Sequence, residues 1–464
     1  MKHRITEQTF YKYLKCPSWI SRELERDEDL REKLLEKIQD DGLLSEHEKA
    51  LLTDRDYVEV TSDDLDEAAL QTLELMKKGA QTIYKGILIH ENWVGRPDIL
   101  ERVEGKSRLG DYYYVACDIK RSRHMKDEYK FQGLFYAKIL DRVQGHEPVM
   151  GYVLHADGNV ESYLLEEFDT HFHLTMDAIE EILDGGSESH FLTSGCKQSP
   201  YFSECELEAR NCDDLSRLNR IWRSEVDLMM RVGITSVEEL ANAPVQNLKE
   251  VHGMSLDRLY FLQQQAIAMS ENKVIRIGEI ELPKEEGPVL VVDVESDPLR
   301  NSDYLIGVLL IDNGKETYHP FLAKRPEDEE KAWHEFTEFI THYPTANMYH
   351  YGWYEVDVFR RLTERYGAPE EAKRIIENQM LDLLSFMRQK VIFPMSFYSL
   401  KDIAKYLGFK WRMNEASGLD SVLWYEEWLE NGDTKALEDI VNYNEDDVRA
   451  TWLVRNWAVE DNRR

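Results

Sequence analysis

Two carboxylates and an ammonium group are spaced so that they could act together between residues 93 and 136. Asp98 lies near the end of one β-rich run, and Asp118 lies near the end of the next. Lys120 follows Asp118 by two positions, which places both side chains on one face of a strand. Such a set can hold a divalent cation, a water molecule and a phosphate, and oxygen ligands suit Mg²⁺ or Mn²⁺. The predicted chemistry is metal-assisted attack of water on phosphorus.

A second acidic pattern interrupts an apolar run near residue 290. Asp293 and Glu295 are two positions apart in the sequence Val-Leu-Val-Val-Asp-Val-Glu-Ser, so they share one face of the predicted strand. Burying two like charges costs several kcal/mol unless a cation pairs with them. The pattern therefore predicts a second metal site.

The elements that must position these groups can be read from the same stretches. A Gly/Lys/Ser/Arg turn at 105–110 between the β-rich runs predicts a hairpin, and amphipathic spacing predicts a helix from about Asp127. An apolar run at 305–312 predicts a strand that follows the one carrying Asp293. Both acidic sets are thus expected on strands of α/β domains.

The first set resembles the signature of the PD-(D/E)xK nucleases. Pro97-Asp98 and Asp118-Ile119-Lys120 match the signature itself. Gln132 and Tyr136 look like the Q-x-x-x-Y helix of the RecB branch, which includes the iron–sulfur CRISPR-associated and AddB-type nucleases. Gly42 and His47 look like the first motif of that branch, with one extra residue between them.

That resemblance implies a role for each matched residue. His47, Asp98 and Asp118 would bind Mg²⁺ or Mn²⁺ together with the carbonyl of Ile119. Lys120 would activate water or stabilise the pentavalent phosphorus. Gln132 and Tyr136 would orient the DNA or the lysine.

The second set resembles the DEDD exonucleases, which have an RNase H-like fold. Asp293-x-Glu295 looks like their first motif, and Tyr443 with Asp447 fits the third motif, Tyr-x-x-x-Asp. The second motif is matched around Glu355, with His350 and Glu355 where the family usually has asparagine and aspartate. The resemblance implies that Asp293, Glu295, Glu355 and Asp447 hold divalent metal and that Tyr443 positions the attacking water.

Four cysteines occur near the two ends of the first predicted domain: Cys16, Cys196, Cys205 and Cys212. In a cytosolic chain they would bind metal or be buried rather than form disulfides. Their order and number resemble those of the iron–sulfur nucleases, in which one N-terminal and three C-terminal cysteines close a four-iron four-sulfur cluster. A zinc site and unligated thiols remain the alternatives.

Length and charge limit the overall organisation. The 464 residues favour several domains, and we expect a RecB-like nuclease domain at 1–215, a helical connector at 216–280 and an RNase H-like domain at 285–464. The connector resembles a helix-hairpin-helix module, which would hold a phosphate on backbone amides, or is purely structural. No apolar run is long enough for a membrane span and the N-terminus lacks a signal-like segment, so a cytoplasmic protein is expected.

The whole chain resembles a bacterial and archaeal family of RecB-like nucleases with this domain order. A metal-dependent nuclease with two sites is therefore expected, acting on DNA with a single-stranded end, with a 3′-to-5′ exonuclease site in the C-terminal domain. The net charge of −32 is unusual for a nucleic-acid-binding protein. The alternatives are a nucleic-acid-binding or scaffolding subunit with a degenerate site, or RNA as the substrate of the C-terminal site.

Overall fold

A computed structural model describes residues 3–24, 52, 55–120, 125, 127–155, 158–186, 190–285, 287–297, 300, 302–413 and 416–461. The chain divides into two compact units, Met1–Asn211 and Cys212–Arg464. The connector predicted at 216–280 falls within the second unit. No helix in the described ranges is long and apolar enough to cross a membrane.

The first unit is built around a mixed sheet. Its strands are β1 (Ile5–Thr6), β2 (Tyr57–Glu59), β3 (Thr82–Tyr84), β4 (Leu88–His90), β5 (Trp93–Gly95), β6 (Ile99–Ser107), β7 (Gly110–Lys120), β8 (Met150–His155) and β9 (Val160–Leu164). Its helices are α1 (Glu7–Lys15), α2 (Ser18–Leu24), α3 (Leu65–Lys78), α4 (Asp127–Gln144), α5 (Asp169–Leu183) and α6 (Phe202–Asn211). The six-stranded sheet has the order β2-β3-β6-β7-β8-β9, and a smaller sheet has the order β1-β5-β4.

The predicted hairpin is present as β6 and β7, which pair antiparallel. On β7, Tyr114 and Ala116 belong to a core cluster that includes Phe131 and Leu134 of α4, whereas Cys117 faces a separate cluster. Since side chains alternate along a strand, Asp118 continues the face of β7 that is covered by α4. The helix predicted from Asp127 is thus the element that lies over the acidic end of this strand.

The second unit begins with short helices and continues into an α/β domain. Its strands are β10 (Ile275–Arg276), β11 (Val289–Asp297), β12 (Ser302–Asp312), β13 (Lys315–Leu322), β14 (Asn347–His350), β15 (Met380–Asp382) and β16 (Val391–Ile392). Its helices are α7 (Arg223–Met230), α8 (Val237–Asn242), α9 (Val245–Glu250), α10 (Leu256–Glu271), α11 (Glu329–Thr341), α12 (Tyr354–Tyr366), α13 (Glu370–Gln379), α14 (Leu383–Arg388), α15 (Leu400–Tyr406), α16 (Gly418–Asn431) and α17 (Thr434–Asp461). The α/β class predicted from the sequence is confirmed.

The main sheet of this unit has β11 at its centre. The strand order is β13-β12-β11-β14-β15, with antiparallel pairs on one side of β11 and parallel pairs on the other. Leu290 and Val292 face a cluster formed with helix α11, while Val289 and Val291 face a cluster that includes Val448 of α17. Alternation along β11 therefore places Asp293 and Glu295 on the side of the sheet covered by α17.

A buried ion network fixes the far end of β11. The pairing of β11 with β12 shifts register between Glu295 and Ser296, and the Ser296 hydroxyl donates to Asp303 Oδ1 at 2.5 Å. Arg361 donates to both oxygens of Asp303, at 2.6 and 2.7 Å. The side chain of Asp303 is fully buried, whereas that of Arg361 is 19% exposed. Arg361 thus neutralises a buried carboxylate next to the strand end that carries Glu295.

We predict that Arg361→Met lowers the free energy of unfolding by about 3 to 5 kcal/mol, because it leaves Asp303 buried without its partner. Arg360→Met is the matched control on the same helix. Arg360 is 56% exposed and pairs with the exposed Asp357, so its loss should cost less than about 1 kcal/mol. Urea unfolding of the full chain measures both changes. Equal losses of unfolding free energy would show that the buried pair contributes no more to stability than the exposed pair.

Candidate functional site

Three carboxylates converge on the α17 side of the central strand. Asp293 and Glu295 come from β11 and Asp447 comes from α17, and ligand oxygens of the three all lie within 4.8 Å of one another. Within the described ranges, this is the one group of three or more histidine, cysteine or acidic residues that meets this distance. The structure thus joins the first and third acidic motifs, which are about 150 residues apart in the sequence.

Helix α17 selects which of two neighbouring acids enters the group. Asp447 joins the two strand carboxylates, and its Oδ1 accepts a hydrogen bond of 2.6 Å from Trp411 Nε1. Asp446 instead accepts hydrogen bonds from the Arg412 side chain and backbone, at 2.8 and 2.7 Å. The motif spacing had favoured Asp447 over Asp446, and the geometry agrees.

Burial and mutual repulsion make this group unfavourable as three free anions. Burial, and then the charges of Asp447 and Glu295, raise the pKa of Asp293 well above its usual range. Burial and Asp447 raise the pKa of Glu295 to about 8, and burial raises the pKa of Asp447 to about 6. A divalent cation would relieve both the burial and the repulsion, and hard carboxylate oxygens are the ligands that Mg²⁺ and Mn²⁺ prefer. The donor set therefore fits the metal expected from the sequence.

Tyr443 and Lys401 border the carboxylates. Tyr443 lies one helical turn before Asp447 and hydrogen-bonds it, and burial together with the nearby carboxylates raises the pKa of the tyrosine. Lys401 Nζ lies 4.6 Å from the centre of the Tyr443 ring and favours the ionised forms of Asp447 and Glu295. Burial is the largest effect on Lys401 itself and lowers its pKa.

Glu355, the fourth predicted metal ligand of this domain, is not part of the group of three. It lies in the first turn of α12, is only 4% exposed, and is close enough to Asp293 to raise the pKa of that residue. His350 Nδ1 lies 3.5 Å from Glu355 Oε2 and 2.7 Å from the carbonyl of Gly352. Glu355 therefore lies next to the group of three carboxylates but is not a member of it.

In the first unit, Asp98, Asp118 and Lys120 come together at the adjoining ends of β6 and β7. Lys120 Nζ lies 3.0 Å from Asp118 Oδ2, and the backbone amide of Ile119 donates to Asp98 Oδ2 at 2.7 Å. Burial would lower the pKa of Lys120, but Asp118 and Asp98 outweigh it and raise that pKa. The predicted sharing of one strand face by Asp118 and Lys120 is seen directly in their contact.

Gln132 and Tyr136 contact each other and the backbone before Asp98. Gln132 Nε2 donates to the Tyr136 hydroxyl at 2.8 Å, and that hydroxyl donates to the Arg96 carbonyl at 3.3 Å. Burial, and then the charge of Asp118, raise the pKa of Tyr136 well above its usual range. In the structure this pair supports the chain segment that presents Asp98.

Glu7 also lies at this site, although no sequence pattern predicted it. Glu7 follows the helix N-cap Thr6, is 8% exposed, and its Oε1 lies 3.9 Å from Arg96. Burial raises its pKa, and Asp118 and Lys120 both act on it electrostatically. An acid in the first turn of a helix is common for reasons of the helix dipole alone, so no local pattern distinguished it. His47, the expected histidine ligand, lies outside the described residues.

Three of the four predicted cluster cysteines meet in the first unit. Cys16, Cys196 and Cys205 are buried, and the Cys16 sulfur hydrogen-bonds the other two. These contacts lower the pKa of Cys196 to about 6 and lower that of Cys205, which Arg22 also favours as a thiolate. Cys212 is exposed and belongs to the second unit.

The segment carrying Cys196 is held against the one carrying Cys16. Thr193 Oγ1 donates to the Lys15 carbonyl at 2.9 Å. Gly195 approaches so closely that an added Cβ would lie 2.6 Å from the same carbonyl oxygen. A glycine between Thr193 and Cys196 therefore allows the two segments to meet, although they are about 180 residues apart.

A comparison with known protein families matches part of the chain. A family model described as the RNase_H superfamily matches residues 290–459, which include Asp293, Glu295, Glu355 and Asp447. No curated protein matches the chain. The C-terminal part of the chain is therefore an RNase H-like domain, and this match supports a metal-dependent, nuclease-type activity on nucleic acid.

Proposed function

We propose that this protein is a divalent-metal-dependent nuclease whose RNase H-like domain hydrolyses phosphodiester bonds. The observation that carries the proposal is the convergence of Asp293, Glu295 and Asp447 within 4.8 Å, inside the segment that matches the RNase H superfamily. Carboxylates that are at least partly buried and have raised pKa values are poor structural groups but good ligands for Mg²⁺ or Mn²⁺.

The side chains around the carboxylates have complementary roles in this proposal. A bound divalent ion supplies charge neutralisation and a more acidic water. Asp293, Glu295 and Asp447 hold the ion, and Trp411 fixes the orientation of Asp447 through its 2.6 Å hydrogen bond. Tyr443 orients the attacking water, and Glu355 contributes its charge from the edge of the site.

We further propose that the first unit contains a second nuclease site of the PD-(D/E)xK type. Its support is the contact of Lys120 with Asp118, and the hydrogen bond from Ile119 to Asp98, at the adjoining ends of two strands. Asp98, Asp118 and His47 would hold the metal, and Lys120 would stabilise the charge that develops on phosphorus. Gln132 and Tyr136 would keep the Asp98 segment in place.

The proposed substrate is DNA with a single-stranded end, cut by the C-terminal site in the 3′-to-5′ direction. RNA as substrate and a binding or scaffolding role with one inactive site are the competing functions, and the histidine and glutamate in the second acidic motif favour the latter for the C-terminal site. Manganese-dependent digestion of DNA and RNA, single- and double-stranded and labelled at either end, distinguishes all of these. Immediate release of labelled mononucleotide from 3′-labelled DNA supports the proposal, and binding without cleavage supports scaffolding.

We also propose that Cys16, Cys196 and Cys205 bind a metal, as ligands of the iron–sulfur cluster expected from the sequence. The supporting observation is that Cys16, which is buried, hydrogen-bonds two other buried cysteines, Cys196 and Cys205. Thiolates bind both iron–sulfur clusters and zinc, so zinc is the competing occupant.

Manganese should raise the melting temperature of the full chain relative to chelator, since bound ions stabilise the folded state by mass action. Asp293→Asn should shrink this difference and raise the melting temperature of the metal-free form, because it removes repulsion. Asp446→Asn, on the same helix but outside the group of three, should keep the manganese response. If the wild type melts at the same temperature with manganese as with chelator, these acids do not form a metal site.

Lys120→Ala should slow cleavage by the first site about 100- to 1,000-fold, the usual effect of losing transition-state charge stabilisation. The measurement is made in an Asp293→Ala background, so that only the first site contributes. Lys106→Ala provides the control, because Lys106 is exposed on the same hairpin. If Lys120→Ala and Lys106→Ala cut equally fast, the first-site assignment is wrong.

Protein purified without oxygen should be brown and contain iron. Cys205→Ala should lose the iron and lower the melting temperature, because it opens a link between distant segments of the first unit. Cys117→Ala should keep the iron, since Cys117 lies in a separate core cluster. Colourless wild-type protein, or zinc in place of iron, would refute the cluster.

A further inference from the structure

Asn444 contacts two of the three carboxylates and is completely buried. It is on the same turn of α17 as Tyr443, one position along the helix. Its Nδ2 donates to Asp293 Oδ2 at 2.7 Å, and its side chain also hydrogen-bonds Glu295. The Tyr318 hydroxyl lies 2.8 Å from Asn444 Oδ1.

The chemistry of these partners allows one orientation of the amide. When a cation holds Asp293 and Glu295 in their ionised forms, the two acids accept hydrogen bonds but cannot donate them, so the NH₂ group of Asn444 must face them. Its Oδ1 then faces Tyr318, whose hydroxyl can donate. Tyr318 thus keeps the two amide hydrogens directed at the two acidic residues of β11.

The sheet leaves space for this side chain at one position. Gly307 on β12 pairs directly with Asp293 on β11. A Cβ at position 307 would overlap Asn444 Oδ1 and would lie 2.9 Å from the Tyr318 hydroxyl. The absence of a side chain at Gly307 therefore makes the cavity that Asn444 fills.

We propose that Asn444 is the positioning residue of the metal centre, held by Tyr318 and accommodated by Gly307. Its hydrogen bond to Asp293 Oδ2 would fix the orientation of that carboxylate toward the cation. This inference rests on the proposed metal-dependent function of the C-terminal domain. It assigns to three residues outside the acidic motifs the task of fixing the ligands before the cation arrives.

The test is isothermal titration of the metal-free full chain with manganese, with Asp98→Asn and Asp118→Asn as the common background to silence the first site. Asn444→Leu keeps the size of the side chain but removes its hydrogen bonds. It should weaken manganese binding about 10- to 100-fold, as is usual when a group that orients metal ligands is lost. Asn442→Leu is the control, because Asn442 is on the same helix and bonds Arg412 instead.

Two further variants distinguish positioning from a general loss of packing. Tyr318→Phe removes one hydroxyl and should weaken manganese binding less than Asn444→Leu does. Gly307→Ala should weaken manganese binding by displacing Asn444. In an Asn444→Ala background, Gly307→Ala should have little further effect on manganese binding, because the space that Asn444 filled is then free. In nuclease assays, saturating manganese should restore most of kcat to Asn444→Leu while KM for the nucleic acid stays unchanged.

The outcomes separate this inference from the function on which it rests. If Asp293→Asn binds manganese as tightly as its parent, the metal centre itself is refuted. If Asp293→Asn weakens binding but Asn444→Leu and Tyr318→Phe bind within about twofold of the parent, the metal centre stands and the role of Asn444 is refuted. Additive effects of Gly307→Ala and Asn444→Ala would also overturn it, because they would place the two residues in independent roles.

Discussion

The repulsion among Asp293, Glu295 and Asp447 is the constraint on which the C-terminal domain depends. Burial raises the pKa of all three carboxylates, the charge of Asp447 further raises those of Asp293 and Glu295, and as anions within 4.8 Å the three oppose folding. The structure keeps them together through the rigidity of a central strand and a long helix. A bound cation would relieve this repulsion, so under the proposed function metal binding would also stabilise the domain.

The surroundings of the carboxylates moderate that repulsion without removing it. Trp411 and Asn444 donate hydrogen bonds to Asp447 and Asp293, and Lys401 adds a nearby positive charge. Each of these groups favours the ionised form of the carboxylate that it contacts or faces. Lys401 is the one positively charged group among them. These groups therefore leave part of the repulsion in place, which the proposed divalent ion would relieve. At the first-unit site, in contrast, Lys120 contacts Asp118 directly, so the protein itself supplies part of the neutralising charge.

The large negative charge of the chain limits how nucleic acid could bind. A net charge of −32 repels a polyanion over long distances, and salt weakens this repulsion beyond about 10 Å. Binding would then depend on local cations, namely the bound metals, Lys120 and Lys401. Metal ions would thus contribute to substrate affinity as well as to phosphodiester hydrolysis.

The α/β class, the hairpin that lies next to Asp98 and carries Asp118, and the strand that carries Asp293 and Glu295 could all be predicted from the sequence, because alternation along strands is a local property. Spacing also favoured Asp447 over Asp446 on α17. Three relations appear only in the folded chain: Glu355 borders the group of three, Glu7 lies near Asp118, and Asn444 joins Asp293, Glu295 and Tyr318. These relations depend on how helices cross strands far away in the chain. A local pattern records which face a residue occupies, but not which distant side chain comes to lie against that face.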